Sequence, residues 1–264
     1  MADPALYLAA LLAVGLAAGV LAGLLGIGGG LVVVPVLALL LEGRGVPAGV
    51  AVHTAVGTSL ATIAVTAAAS VRAHHRAGAV AWERVRRLGP PIAAGALGGA
   101  LLARGVPGEA LRAVVGVFEL AVAARMAFAS APRPGSAPSP GAPLWGVPIG
   151  ALSAMVGIGG GTLTVPYLIH LGERTHRAVG TGAACGLPIA LAGGLGFLLA
   201  GGRAAGVPPP HLGFVHLPAF AAIAVASAAA APLGARLAQR LPAAHLRRGF
   251  AVFLVLVGCR LLAA

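Results

Sequence analysis

"GIGGGLVVVP", residues 26–35, sets four glycines among five residues inside the first apolar stretch of the chain and follows them with Pro35. "GIGGGTLTVP" repeats the pattern at residues 157–166. Glycine is a poor helix residue because it loses most backbone entropy there, so each run breaks whatever helix leads into it. The composition says in which solvent the break occurs. The 264 residues are 59% hydrophobic and 9% charged, with a mean hydropathy of +0.97, whereas a soluble domain carries about a quarter charged residues to solvate its surface. The chain therefore reads as an integral membrane protein.

Working outward, apolar stretches at 5–25, 48–71, 88–104, 110–129, 178–200, 213–231 and 246–262 come close to the roughly 20 residues that a helix needs to cross about 30 Å of hydrocarbon. Their Ala, Leu and Gly content with weak alternation predicts helices rather than barrel strands. No Arg or Lys precedes the first stretch, so it is expected to be a retained helix and not a secretory signal. Cys185 and Cys259 both fall inside apolar stretches and read as small hydrophobes. The net charge of +12 is carried by arginine alone. Because the arginines cluster in short segments between apolar stretches, they report topology and not nucleic-acid binding.

The two glycine runs belong to a longer repeat. "HTAVGTS" at 53–59 matches "HRAVGTG" at 176–182, and "GVPGEALRAVVGVF" at 105–118 matches "RLPAAHLRRGFAVF" at 240–253. Two homologous halves follow, 1–129 and 144–264, joined by the Pro-, Gly- and Ser-rich segment 130–143. Each half reads as a glycine-broken short hairpin followed by three transmembrane helices. That odd count predicts insertion in opposite senses, and the arginines agree. In the first half Arg72, Arg76, Arg84, Arg86 and Arg87 follow the third element, with only Arg104 and Arg112 in the next loop. In the second half the matching loops carry Arg203 alone, then Arg236, Arg240, Arg247 and Arg248. With the Arg-rich loops in the cytoplasm, Arg133, Arg174 and Arg177 lie there too and both termini lie outside. Inverted repeats of this kind build many secondary transporters, with the ligand near the midplane.

The stretches after the glycines, Leu31–Leu41 and Thr162–Leu171, are about half a crossing long at roughly 1.5 Å per residue. They are expected to be half-helices whose N-termini, with their unpaired N–H groups, converge on one site for a small oxyanion. Candidate binding residues are Gly26, Gly28, Gly29 and Gly30 of the first turn and Gly157, Gly159, Gly160 and Gly161 of the second. Hydroxyls of Thr58, Ser59, Thr162, Thr164 and Thr181 would add donors. The competing explanation is that the glycines serve only close helix packing.

These motifs, "GIGGGLVVVPVL", "GIGGGTLTVPYL", "AVGTSL" and "AVGTG", resemble the TauE/SafE sulfite exporter family, also called the toluene-sulfonate uptake permeases, over essentially the whole chain. The resemblance implies a bacterial cytoplasmic-membrane permease for sulfite, a sulfonate or a related sulfur-containing anion, with no catalytic reaction, cofactor or metal.

Among other polar residues, Glu119 is the only acid well inside an apolar stretch, where it is either a proton carrier or a neutral hydrogen-bonded group. His53 and His176 occupy matched positions and are candidates for a gate or for interfacial caps. His74 and His75 belong with the solvated Arg-rich loop, His170 with the end of the second half-helix, and Arg125 and Arg260 with the membrane surfaces. An intramembrane protease would need Ser59 or Ser153 to have a partnered histidine, and neither serine lies in a G-x-S-x-G frame. A membrane scaffold remains as the other reading. A hydrated pocket between the glycine turns would favour transport, and a packed midplane the scaffold.

Overall fold

The structure, a computed structural model, describes residues 3–25, 28–128, 142–202, 206–238 and 243–263. Gly26, the linker through residue 141 with Arg133, and also Arg203 and Arg240 lie outside the described residues, as do the side chains of Arg236 and Arg247.

Helices dominate. In chain order they are α1 (Pro4–Leu25), α2 (Gly30–Glu42), α3 (Ala48–Arg76), α4 (Trp82–Ala103) and α5 (Gly108–Phe128), then α6 (Gly146–Val156), α7 (Thr164–His170), α8 (Thr175–Ala200), α9 (Leu217–Ala238) and α10 (Ala243–Ala263). The all-α membrane class is therefore as expected. Helices α1, α3, α8 and α9 contain stretches long and apolar enough to span a bilayer. α4, α5 and α10 are 22, 21 and 21 residues long, but α4 carries arginines near its start and α5 and α10 near both ends. Leucines and valines such as Leu102, Val225 and Leu256 project outward from α4, α9 and α10 at 70%, 69% and 66% exposure, the surface that a helix facing lipid presents.

Local sequence explains several helix ends. Pro4 begins α1, where its missing N–H costs nothing, and Asp3 Oδ1 accepts the Ala5 N–H at 3.0 Å. α3 ends in His74, His75 and Arg76, side chains suited to the negative end of the helix dipole.

Two features differ from the sequence reading. The first arms of the two hairpins are unequal, since α1 is a full 22 residues and α6 only 11. The stretch expected to begin a helix at 213 is instead occupied by a small antiparallel hairpin, β1 (His211–Leu212) and β2 (Val215–His216), so that α9 starts at Leu217. The hairpin turns at Gly213, whose φ of 54° suits glycine. Cys185 is buried in α8, whereas Cys259 is exposed on α10.

The packing is reciprocal. α1 lies along α9 and α4 along α6, while α3 pairs with α8 and α5 with α10. The close approaches are made at small residues. Gly15 and Gly19 face Ile223 and Ser227 of α9, and Gly95 and Gly99 face Val147 and Ala151 of α6. Between helices in lipid, where apolar burial gives little drive, such backbone proximity is the main source of attraction.

The "AVGT" motifs each seat a segment of extended backbone. Thr58 Oγ1 accepts the His216 N–H at 3.0 Å just before α9, and Thr181 Oγ1 accepts the Ala81 N–H at 2.9 Å just before α4. The glycine ahead of each threonine makes the room, since a Cβ on Gly57 would meet Phe214 O at 2.8 Å and one on Gly180 would strike Ala79 O. Both threonines are fully buried. Thr58→Val and Thr181→Val should each lower stability by about 1–3 kcal/mol, the cost of a buried amide left without an acceptor. Thermal unfolding in detergent measures this, and full retention by Thr→Val of the stability kept by Thr→Ser would remove the hydrogen bond as the cause.

Candidate functional site

The two glycine turns meet. A Cβ placed on Gly28 would lie 3.4 Å from the Cα of Gly159, and these two glycines hold the same place in the two GIGGG copies. One on Gly30 would collide with the carbonyl oxygen of Gly157. Gly28, Gly29 and Gly157 have φ of 86°, 73° and 74°, the left-handed region that side chains avoid. Glycine is thus required here both for conformation and for space.

Ser59, on α3, donates to Gly157 O at 2.8 Å and ties the first half to the second turn. Gly160 packs directly on Gly182 and Gly186 of α8. The α2 start is a genuine helix N-terminus. Val32 and Val33 both bond back to Gly29 O, and the amides ahead of them have no backbone acceptor among the described residues. The second half-helix is shorter than expected. Residues 160–163 form turns and α7 has seven residues, so the second turn contributes through its backbone and hydroxyls more than through a helix terminus.

Around that second turn lie three buried hydroxyls with no hydrogen-bond partner among the described residues, Ser153, Thr162 and Thr164. A buried hydroxyl without a partner is costly, and in native proteins it points to a ligand or water. Thr58 and Thr181, by contrast, already use their oxygens to hold backbone. Of the residues named from sequence, the structure sets Gly28 against Gly159 and Gly30 against Gly157, ties Ser59 to that second turn, and has Thr162 and Thr164 follow it in the chain. The neighbouring Ser153 was considered only as a protease nucleophile.

His53 is buried on α3 with Nδ1 2.6 Å from Gly49 O and Nε2 2.9 Å from Ala103 O, so either tautomer of the ring donates to one of these carbonyls, and it stacks on Phe214. It thereby links the start of α3 to the end of α4. Its repeat partner His176 is exposed, so the two matched histidines have unlike surroundings. Glu119 is 1% exposed on α5, and neither carboxyl oxygen has a partner among the described residues. His216, next to the start of α9, accepts the Ala219 N–H through Nδ1 at 3.3 Å. Burial, then the Arg44 guanidinium and His211, push its pKa down to about 4, which keeps the ring neutral and Nδ1 an acceptor. Arg44 itself lies over the Tyr7 ring at 4.2 Å.

Two ion pairs were missed from sequence. Glu42, at the end of α2, binds Arg112 of α5 at 3.2 Å, and Glu173, just past α7, binds Arg84 of α4 at 3.2 Å. Glu42 and Glu173 hold matching positions behind the two GIGGG copies, and this equivalence was the available signal. The pairs lie at opposite ends of the fold. Arg84 is at the start of α4, whereas Arg112 is near the start of α5, just beyond the α4 end that His53 holds. The 22 residues of α4 separate those ends by roughly 33 Å.

The family described as sulfite exporter TauE/SafE matches residues 11–261. A "probable membrane transporter protein" of Haemophilus influenzae is 34% identical over 249 residues, covering 93% of this chain and 94% of the relative. No solved structure matches.

Proposed function

The chain belongs to the sulfite exporter TauE/SafE family, and from that premise we propose that it is a membrane transporter carrying a small sulfur-containing anion, sulfite or a sulfonate, out of a bacterial cell across the cytoplasmic membrane. The observation that carries this reading is the group of unpartnered buried hydroxyls, Ser153, Thr162 and Thr164, beside the meeting point of the two glycine turns. Hydroxyls and the backbone amides at the buried α2 start are hydrogen-bond donors suited to an oxyanion. Sulfonate and sulfite each present several acceptor oxygens and no need for a metal.

The two halves, 1–129 and 144–264, are read as an inverted repeat. Contact between the equivalent residues Gly28 and Gly159, and the opposite directions in which α2 and α7 leave that contact, support it. The Arg-rich α3–α4 connection faces the cytoplasm and both termini face outward. Export of an anion is then driven by the membrane potential, about 2.3 kcal/mol per charge per 100 mV, without a coupled proton. Glu119 has no required step in that direction; import would make it the proton carrier. In this reading His53, which links α3 to the end of α4, gates the outer mouth and His176 the inner one.

The direct packing of the glycine turns is also what a membrane scaffold without transport would need, so flux decides between the two. In proteoliposomes with an imposed potential, sulfite, thiosulfate, sulfate and methanesulfonate flux would be compared between wild type and Thr162→Val/Thr164→Val. These hydroxyls bond nothing in the described protein, so the double variant should keep its stability and lose roughly tenfold in flux, the worth of one or two ligand hydrogen bonds. Absence of flux for every anion in well-folded wild type would return the scaffold reading.

A further inference from the structure

A cavity of about 350 Å³ opens beside the start of α4, bounded by Trp82, Glu83, Arg84 and Arg87 on one side and by Glu173 and Arg177 on the other. We propose that this cavity is a vestibule that binds the anion before it reaches the glycine turns, and that the Glu173 carboxylate occupies the anion's place until substrate displaces it; the assignment rests on the transport reading above.

The charges carry the inference. Glu173 is shared by two guanidinium groups, Arg84 at 3.2 Å and Arg177 at 3.9 Å. Arg87 is engaged with its helix neighbour Glu83 at 2.8 Å, a pair so exposed that it binds little of Arg87's charge. Two cations around one carboxylate leave one positive charge unmatched, and a monoanionic sulfonate or hydrogen sulfite would balance it. Guanidinium presents paired N–H donors to the oxygens of such a group as it does to a carboxylate, so ligand and Glu173 compete for the same atoms. Glu173 is 14% exposed and Arg84 22%, which leaves both partly dehydrated yet within reach of solvent. Position gives the exchange a consequence. Glu173 lies three residues beyond α7, the helix that follows the second glycine turn, so releasing Glu173 from Arg84 frees the cytoplasmic end of that helix while the anion is held at the mouth. The equivalent pair, Glu42 with Arg112, closes the far end of α2, but there the arginine is only 5% exposed. Capture at the more accessible, Arg-rich end is the one that export from the cytoplasm uses.

Trp82 lines the cavity and donates to His75 at 3.1 Å, so its emission reports on the site. The chain has two tryptophans, and Trp145→Phe leaves Trp82 alone. Purified Trp145→Phe protein in detergent would be titrated with methanesulfonate and with thiosulfate, against chloride at equal ionic strength. A saturable change specific to the sulfur anions is expected. It should weaken about tenfold or more in Arg84→Gln, be partly kept in Arg84→Lys, and tighten about threefold in Glu173→Gln, the size of the part-exposed ion pair removed. No saturable change, an equal response to chloride, or unaltered binding in Arg84→Gln and Glu173→Gln would overturn the vestibule. Flux of the same anions measured in parallel separates the two readings. Flux without a Trp82 response overturns the vestibule and leaves transport standing, whereas a response with the expected variant pattern but no flux supports the site and removes transport.

Discussion

Gly30→Ala is expected to destabilise the protein by roughly 3 kcal/mol, the upper part of the usual range for overpacking. Gly30 begins α2 with helical backbone, so its conformation suits alanine; the cost is entirely one of space. Its Cβ would strike the carbonyl oxygen of Gly157 and sit 3.0 Å from the Cα of Ile158. Both obstacles are backbone, and the turn that carries them is held in place by the hydrogen bond from Ser59 to Gly157 O. Gly98→Ala is the control. Gly98 is also helical, in α4, but a Cβ there meets nothing within 4 Å. That change should be neutral or stabilise by up to about 1 kcal/mol through lower unfolded-state entropy. Melting temperatures in one detergent compare the two directly. Equal behaviour of Gly30→Ala and Gly98→Ala would mean that the glycine turns are not in contact.

Loss of one partner of the Glu42–Arg112 pair should cost about 3–5 kcal/mol, because a charge is left buried without its counterion. Arg112 is the more deeply buried, at 6% side-chain exposure against 19% for Glu42, so Glu42→Ala is the more damaging single change. Among the described residues Arg112 Nε and Glu42 Oε1 have no partner, so the compensation rests there on the 3.2 Å contact. Replacing both residues, as Glu42→Leu with Arg112→Met, should restore most of the loss, since an apolar pair of similar volume needs no compensation. A double-mutant cycle on unfolding in denaturant reads the coupling. Additive costs would show that the two groups do not depend on each other. By contrast, Glu173→Gln at the other end should change stability little, because its partner arginines keep contact with solvent.

Much of this was legible in the chain. The apolar stretches marked every long helix, with ends off by at most about seven residues, because the length and composition needed to cross a bilayer are constraints on sequence itself. The paired GIGGG runs marked the turns, since only glycine both accepts positive φ and leaves room for another backbone. Less legible was the start of α9. "GFVHLPAF" reads as a continuous apolar run, yet its first residues are extended, because Thr58 and Gly57 of a distant helix offer an acceptor and a groove for that backbone. Composition cannot register a partner 158 residues away. For the same reason Thr58 and Thr181, alike in sequence to Thr162 and Thr164, differ from them in the structure. The first pair is spent on backbone amides and the second is left unpartnered.

By itself the sequence determined the solvent, the helical class, the internal repeat and the need for glycine at two turns, because each of these depends on residue type and spacing along one chain. Only the tertiary structure decided that Gly28 meets Gly159, that Glu42 finds Arg112 while Glu173 finds Arg84, and that the matched histidines part company, His53 buried between two carbonyls and His176 exposed. Those outcomes depend on which helices become neighbours, and a residue's charge, burial and hydrogen bonding are completed by atoms that the local sequence does not contain.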